Sequence, residues 1–149
     1  MTDKITLEPI GIIHSPYQKK EENIPIQGTF KPEGVGTIEV YEEYAEGLTD
    51  IEGFSHLLIV YFFHKSKDFS LLAKPFLEDK LHGIFAIRSP HRPNHLGVSV
   101  VKLIEKKGNL LKIGEIDVFD RTPLLDIKPY VPKFDQRNNV KIGWLEKHI

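Results

Sequence analysis

The densest chemistry in this chain lies in the run Arg88, Ser89, Pro90, His91, Arg92, Pro93, Asn94, His95, Leu96, Gly97, which gathers two guanidiniums, an amide and two imidazoles. Two prolines and a glycine fix the backbone here, so the donors are held in place instead of trailing on a solvated tail. A rigid loop with fork-shaped donors can grip a carboxylate, a phosphate or a nucleotide edge. An ordinary turn bearing surface arginines has the same composition, and the loop alone does not separate the two readings.

A second cluster runs Asp120, Arg121, Thr122, Pro123, Leu124, Leu125, Asp126, Ile127, Lys128, Pro129, Tyr130. Asp126 and Lys128 are two apart, so in an extended segment they share one face while Leu125 and Ile127 point the other way. A carboxylate, an ammonium and the nearby Tyr130 then fall on one surface. The plain alternative is an edge strand with a surface ion pair, an arrangement that contributes little, and Pro129 suits a strand edge or end.

Other chemistries are poorly served. His91 and His95 are four apart, but Pro93 between them forbids the helix that would align them. His14, His56, His64, His82 and His148 have no metal-ligand spacing, so no metal is expected. With no cysteine there is no thiolate site, no disulfide framework and no cysteine nucleophile. There is no Gly-x-Ser-x-Gly elbow, and Gly34, Val35, Gly36 stops short of both a dinucleotide fingerprint and a P-loop. A nucleotide-like ligand must therefore be held by something other than the usual strand, glycine turn and helix.

The elements that would position these clusters read mostly as strands. Ile5 to Ile13 is apolar with breaks at Pro9 and Gly11, and it runs into His14, Ser15, Pro16. Gly36 to Tyr41 alternates, and Leu57 to Phe63 is a continuous apolar run of central-strand type. Ile84 to Ile87 reads as a short strand entering the arginine loop. Val98 to Glu105 and Leu110 to Ile116 flank Lys106, Lys107, Gly108, Asn109, a hairpin signal. Helix is scarce: Glu42 to Leu48 offers two turns, and Leu71 to Lys80 is interrupted by Pro75. Tyr17 to Gly34 reads as a long loop or flap, with a disordered insertion as the plain alternative. The expected fold is a small, mostly β, single-domain barrel with a few short helices and this long loop near its start.

At 149 residues the expectation is one domain spanning 1–149. A formal net charge of −1 argues against a strongly basic nucleic-acid binder but not against a local basic patch. No apolar run is long enough to span a membrane, and Met1 to Lys4 opens no signal-peptide pattern, so a cytoplasmic location is expected.

Taken in order, Ile10 to Tyr17, Pro25 to Gln27, Gly53 to His56, His64 and Lys65, the arginine loop and the run Thr122 to Tyr130 resemble the TrmO-like (YaeB/VirR-like) family over most of the chain. The resemblance implies a small β-barrel that uses S-adenosylmethionine to methylate N6 of an adenosine in tRNA. That adenosine is at position 37, beside the anticodon, and in the best-known members it already carries a threonylcarbamoyl group. It also implies a homodimer with the cofactor near the subunit interface. Carried over by position, the cofactor site is Pro25, Ile26, Gln27, His64, Lys65, Arg88, Val98, Leu125, Asp126, Ile127 and Lys128. An apolar slot with backbone groups at Val98 and Leu125 could hold an adenine, and Arg88 or Lys65 could pair with the methionyl carboxylate.

Arg92, Asn94 and Arg121 are assigned to the substrate, and Asp126 and Tyr130 are the candidate catalytic pair. If a proton must leave the accepting nitrogen, Asp126 is the carboxylate nearest to hand, its alternative role being to hold Lys128 or Arg88. The chain departs from the family at Arg121, where the family usually has glycine. It also ends soon after the motif, where longer members carry a further C-terminal domain, and none is expected here. Two other readings remain open: a methyltransferase for another substrate, and a non-catalytic RNA-binding or regulatory barrel.

Overall fold

The computed structural model describes residues 3–18 and 34–149, so Pro25, Ile26 and Gln27 and most of the loop from Tyr17 to Gly34 lie outside the described residues. Six strands close an antiparallel barrel: β1 (Gly11–His14), β2 (Val35–Val40), β3 (His56–Phe62), β6 (Leu96–Lys107), β7 (Leu110–Gly114) and β8 (Thr122–Pro129). Their order around the barrel is β1-β2-β7-β6-β3-β8, and the two-residue strands β4 (Leu72–Ala73) and β5 (His82–Gly83) pair with each other outside it.

Alternation along the strands builds the core. Ile13, Ile38, Val40, Leu57, Ile59, Val101, Leu111, Ile113 and Leu124 all point inward and are essentially solvent-free. Burying an aliphatic side chain of this size stabilises the fold by about 1.5–3 kcal/mol. The β6–β7 hairpin turns on Gly108, whose φ of +60° suits glycine at the first position of a two-residue turn. Gly97 is required for a different reason. A Cβ there would run into the rings of Tyr61 and Phe63, which meet edge to face with centroids 5.4 Å apart.

Several expectations are corrected. Residues 5–10 form no strand, because Pro9 breaks the ladder and pairing starts at Gly11. Ile84–Ala86 is a 3₁₀ turn with only Ile84 buried: the Ile84 amide still donates to the Leu71 carbonyl at 2.8 Å, and the chain then turns, the Ile87 amide donating back to the Ile84 carbonyl at 3.2 Å. Glu42–Leu48 is helical but of 3₁₀ type. Leu71 to Lys80 contains β4 and turns in place of a helix. Strand β8 is not an edge: it pairs with β1 through Gly11↔Leu124 and with β3 through Leu57↔Pro129. Pro129 avoids breaking the ladder because it is the last residue of the strand.

Candidate functional site

At one mouth of the barrel β1 and β3 end while β6 and β8 begin, as the partners Ile13↔Thr122, Tyr61↔Leu124 and Phe62↔Leu96 require. The segment after β1 is docked there by Asp120. Its Oδ1 accepts from the Ser15 amide at 2.9 Å, and the Ser15 hydroxyl donates to the Val118 carbonyl at 2.6 Å. The Asp120 amide in turn donates to the Tyr17 carbonyl at 2.7 Å. His14 Nε2 lies 3.0 Å from Glu39 Oε1. The run His14, Ser15, Pro16 and the run Asp120, Arg121, Thr122 therefore form one structure.

Beside it Gln18, His64, Lys65, Asp120 and Arg121 line an open cleft of about 320 Å³. Lys65 Nζ donates to the Gln18 carbonyl at 2.8 Å and stands over the Phe119 ring, 4.6 Å from its centroid. Burial, and then the Lys65 charge, lower the pKa of His64, so the neutral ring is favoured; the Asp120 charge and a hydrogen bond with the Phe62 backbone act in the opposite sense. Arg121 has φ +65°, in the left-handed region that favours glycine. Glycine, lacking a Cβ, adopts this conformation at least cost.

The arginine loop closes over the same end of β3 and β6. Arg92 Nη1 donates to the carbonyls of Ile87, at 2.8 Å, and Ser89, at 3.2 Å, so part of its guanidinium holds the loop itself. His95 is held to the Pro90 carbonyl through Nδ1 at 2.9 Å, and its own carbonyl accepts from Phe63 N at 2.8 Å. Asn94 and Arg88 are exposed.

The remaining expected residues lie along β8 and, for Val98, on β6. Val98, Val60 and Asp126 form a row across β6, β3 and β8 on the outer face, and Val100, Leu58 and Lys128 form the next row. A register shift between Val60 and Tyr61 lets Leu124 pack inward opposite Tyr61 while Asp126 faces out opposite Val60. Asp126 and Lys128 do share a face, with Lys128 Nζ 3.1 Å from Asp126 Oδ2, while Asp126 Oδ1 accepts from the Ile127 amide at 2.9 Å. Ile127 packs against the core, and Leu125 is half-buried. Tyr130 is placed elsewhere. Its amide donates to the His56 carbonyl at the start of β3, roughly 20 Å along the strand from Phe62 at its other end, at a rise of ~3.3 Å per residue.

One buried chain of hydroxyls escaped the reading of the sequence. Tyr61 Oη is 2.8 Å from Ser99 Oγ, and the Ser99 hydroxyl donates to Asp117 Oδ1 at 2.6 Å. An ionised carboxylate can only accept, so the Ser99 proton goes to Asp117 and Tyr61 donates to Ser99. Burial and then the Asp117 charge push the Tyr61 phenol well above its ordinary pKa, while the Arg88 charge acts against them. The available signal was Ser99 itself, a polar residue at an inward position of an apolar strand. Among the described residues no cluster of histidines and carboxylates has the arrangement of a metal site, and no helix is long and apolar enough to cross a membrane.

Residues 12–136 match the model of the tRNA-methyltransferase O N-terminal domain. The chain is 54% identical over 145 residues to a probable S-adenosyl-L-methionine-binding protein of Pyrococcus abyssi, covering 97% of this chain and 78% of that protein. It is 33% identical to the tRNA (adenine(37)-N6)-methyltransferase of Homo sapiens, covering 93% of this chain but only 33% of the human protein. The crystal structure of TrmO from Pseudomonas aeruginosa superposes with a TM-score of 0.80 at 34% identity, covering 95% of this chain and 63% of that one.

Proposed function

Since the chain belongs to the family of the tRNA-methyltransferase O N-terminal domain, we propose that it binds S-adenosylmethionine at this mouth and transfers a methyl group to N6 of adenosine 37 in tRNA. The finer form of the proposal takes the threonylcarbamoylated adenosine as acceptor. The observation that carries it is the meeting of separate sequence motifs at one barrel end: His14 to Gln18, His64 and Lys65, the arginine loop, and Asp120 to Thr122. A cytoplasmic location belongs to the same proposal.

The residues present suit the chemistry of the cofactor. Arg88 and Lys65 offer cations for an amino-acid carboxylate, and the outward row of Val98 and Val60 offers an apolar wall to an adenine face. When bound, the cofactor supplies an electrophilic methyl on a sulfonium. The protein's part is to bring the accepting nitrogen in line behind it, so positioning supplies much of the rate. Neutral His64 can bond either donor or acceptor groups at the cleft. Arg92, Asn94 and Arg121 serve the tRNA. Asp126, already bonded to Lys128 and the Ile127 amide, first orients that lysine. Tyr130, at the far end of β8, is kept as a contact to the acceptor strand.

A homodimer is part of the same proposal. Val98 is 53% exposed and Val100, Leu96 and Phe62 stand near it on the outer face, an apolar surface that a second copy would cover. Such a copy would turn the open row at Val98 and Asp126 into a slot. Light scattering at micromolar concentration should give twice the chain mass, and a strict monomer would remove the shared slot from the proposal.

The direct test is calorimetric titration with S-adenosylmethionine, followed by labelled methyl transfer to tRNA. Wild type should bind saturably, and Arg88→Ala should weaken binding about 10- to 100-fold, the range for losing a charged hydrogen bond. Binding without transfer to any tRNA would leave a cofactor-binding barrel that is not this enzyme. Absence of binding by folded protein would defeat the reading altogether.

A further inference from the structure

The chain on both sides of Arg88 is tied down, and one of the ties comes from a distant part of the sequence. Arg92 holds the carbonyls of Ile87 and Ser89, the two neighbours of Arg88. One residue further back, the Ala86 carbonyl accepts from the indole of Trp144 at 2.7 Å. Trp144 belongs to a 3₁₀ turn, Gly143–Lys147, and is the only tryptophan of the chain.

The indole is itself clamped. His82 stacks on it with centroids 4.8 Å apart and planes 18° from parallel, and His148 meets it edge-on at 6.1 Å. Glu78 joins the two imidazoles, accepting from His148 Nε2 at 2.7 Å and from His82 Nε2. Glu78, His82, Trp144 and His148 thus make a closed clasp whose one bond toward the mouth ends two residues from Arg88. Among the described residues, none of the four is one of those that line the cleft.

We propose that Trp144 is a positioning residue for Arg88: the clasp fixes the Ala86 carbonyl and so sets where the guanidinium meets the anionic group of the cofactor. The inference rests on the reading that Arg88 receives that group. Its physical basis is preorganisation. A guanidinium on a backbone pinned at Ala86, Ile87 and Ser89 loses less conformational freedom on binding than one on a free loop.

The test is a double-mutant cycle on the full chain, with S-adenosylmethionine as the calorimetric probe. Trp144→Phe keeps an aromatic ring against His82 but deletes the N–H donor. It should raise the dissociation constant about tenfold in the wild-type background. In the Arg88→Ala background it should change affinity less than about twofold, because the group it positions is gone. Circular dichroism melting of both variants reports folding, and His148→Ala, which loosens the clasp without touching Ala86, should follow Trp144→Phe with a smaller effect.

A Trp144→Phe protein that binds within twofold of wild type overturns the proposal. An equal loss in both backgrounds also overturns it, since the indole would then act on the fold at large. If Arg88→Ala binds as wild type does, the reading of Arg88 fails first and the positioning role falls with it.

Discussion

The ammonium of Lys65 stands 4.6 Å from the centre of the Phe119 ring while it donates to the Gln18 carbonyl. One side chain thus ties the end of β3 to the segments that follow β1 and precede β8. Its charge also bears on its neighbour, because burial first and Lys65 second depress the pKa of His64.

The His64 ring should therefore titrate below its ordinary value of 6.5 in an NMR pH series, and Lys65→Met should move it upward only in part. Because the folded pKa is depressed, the group favours the folded state above its unfolded pKa and loses that contribution as pH falls through the folded one. A full return to the ordinary value in Lys65→Met would mean that charge, and not burial, dominates.

Arg121 sits at φ +65°. A left-handed conformation costs a non-glycine residue about 1–2 kcal/mol, and glycine gives back about 0.5–1 kcal/mol in unfolded-chain entropy. Arg121→Gly should stabilise the protein by on the order of 0.5–1 kcal/mol in urea unfolding. The same change should reduce the salt dependence of tRNA binding by about one phosphate contact. An unaltered slope would show that Arg121 meets no phosphate.

Ser99→Ala breaks two bonds at once and strands the Tyr61 hydroxyl in the core. Denaturant unfolding should show a loss of about 1–3 kcal/mol, the range for an unsatisfied buried donor. Tyr61→Phe, which removes the donor together with its need for a partner, should cost less. The reverse order would contradict the direction assigned to the chain of bonds.

Hydrogen bonds from His148 and then His82 hold Glu78 below the ordinary carboxylate pKa. Its contribution is therefore present above the unfolded value and lost as acid takes the pH down through the folded one. Wild type and Glu78→Gln should differ in melting temperature near neutrality and converge below the carboxylate range. A constant gap at all pH values would mean that the clasp does not depend on the Glu78 charge.

Much of the fold could be read where periodicity was strong. Leu57 to Phe63 and the hairpin at Gly108 fall within a few residues of β3 and the β6–β7 turn. Ile84 to Ile87 reads as a strand because three of its residues are branched or aromatic, but after Ile84 pairs with Leu71 the chain closes a tight turn onto itself through Ile87. The pair Asp126 and Lys128 followed from a spacing of two. Asp117 and Trp144 could not be found that way, because each acts through a contact far away in sequence, Ser99 for one and Ala86 for the other. Tyr130 was grouped with Asp126 by nearness along the chain, but the strand between them carries it to the far end of β3.

Strand β8 lies between β1 and β3, so it seals the barrel after every other barrel strand has been laid down in sequence. Until it pairs, β1 and β3 each present a raw row of amides and carbonyls. The bonds that shape the mouth wait on the same event, since Ser15 reaches Asp120 and Val118 across separations of 105 and 103 residues. Contacts that distant in sequence form slowly. The closure that seals the barrel is therefore the same one that brings the cleft's distant segments together.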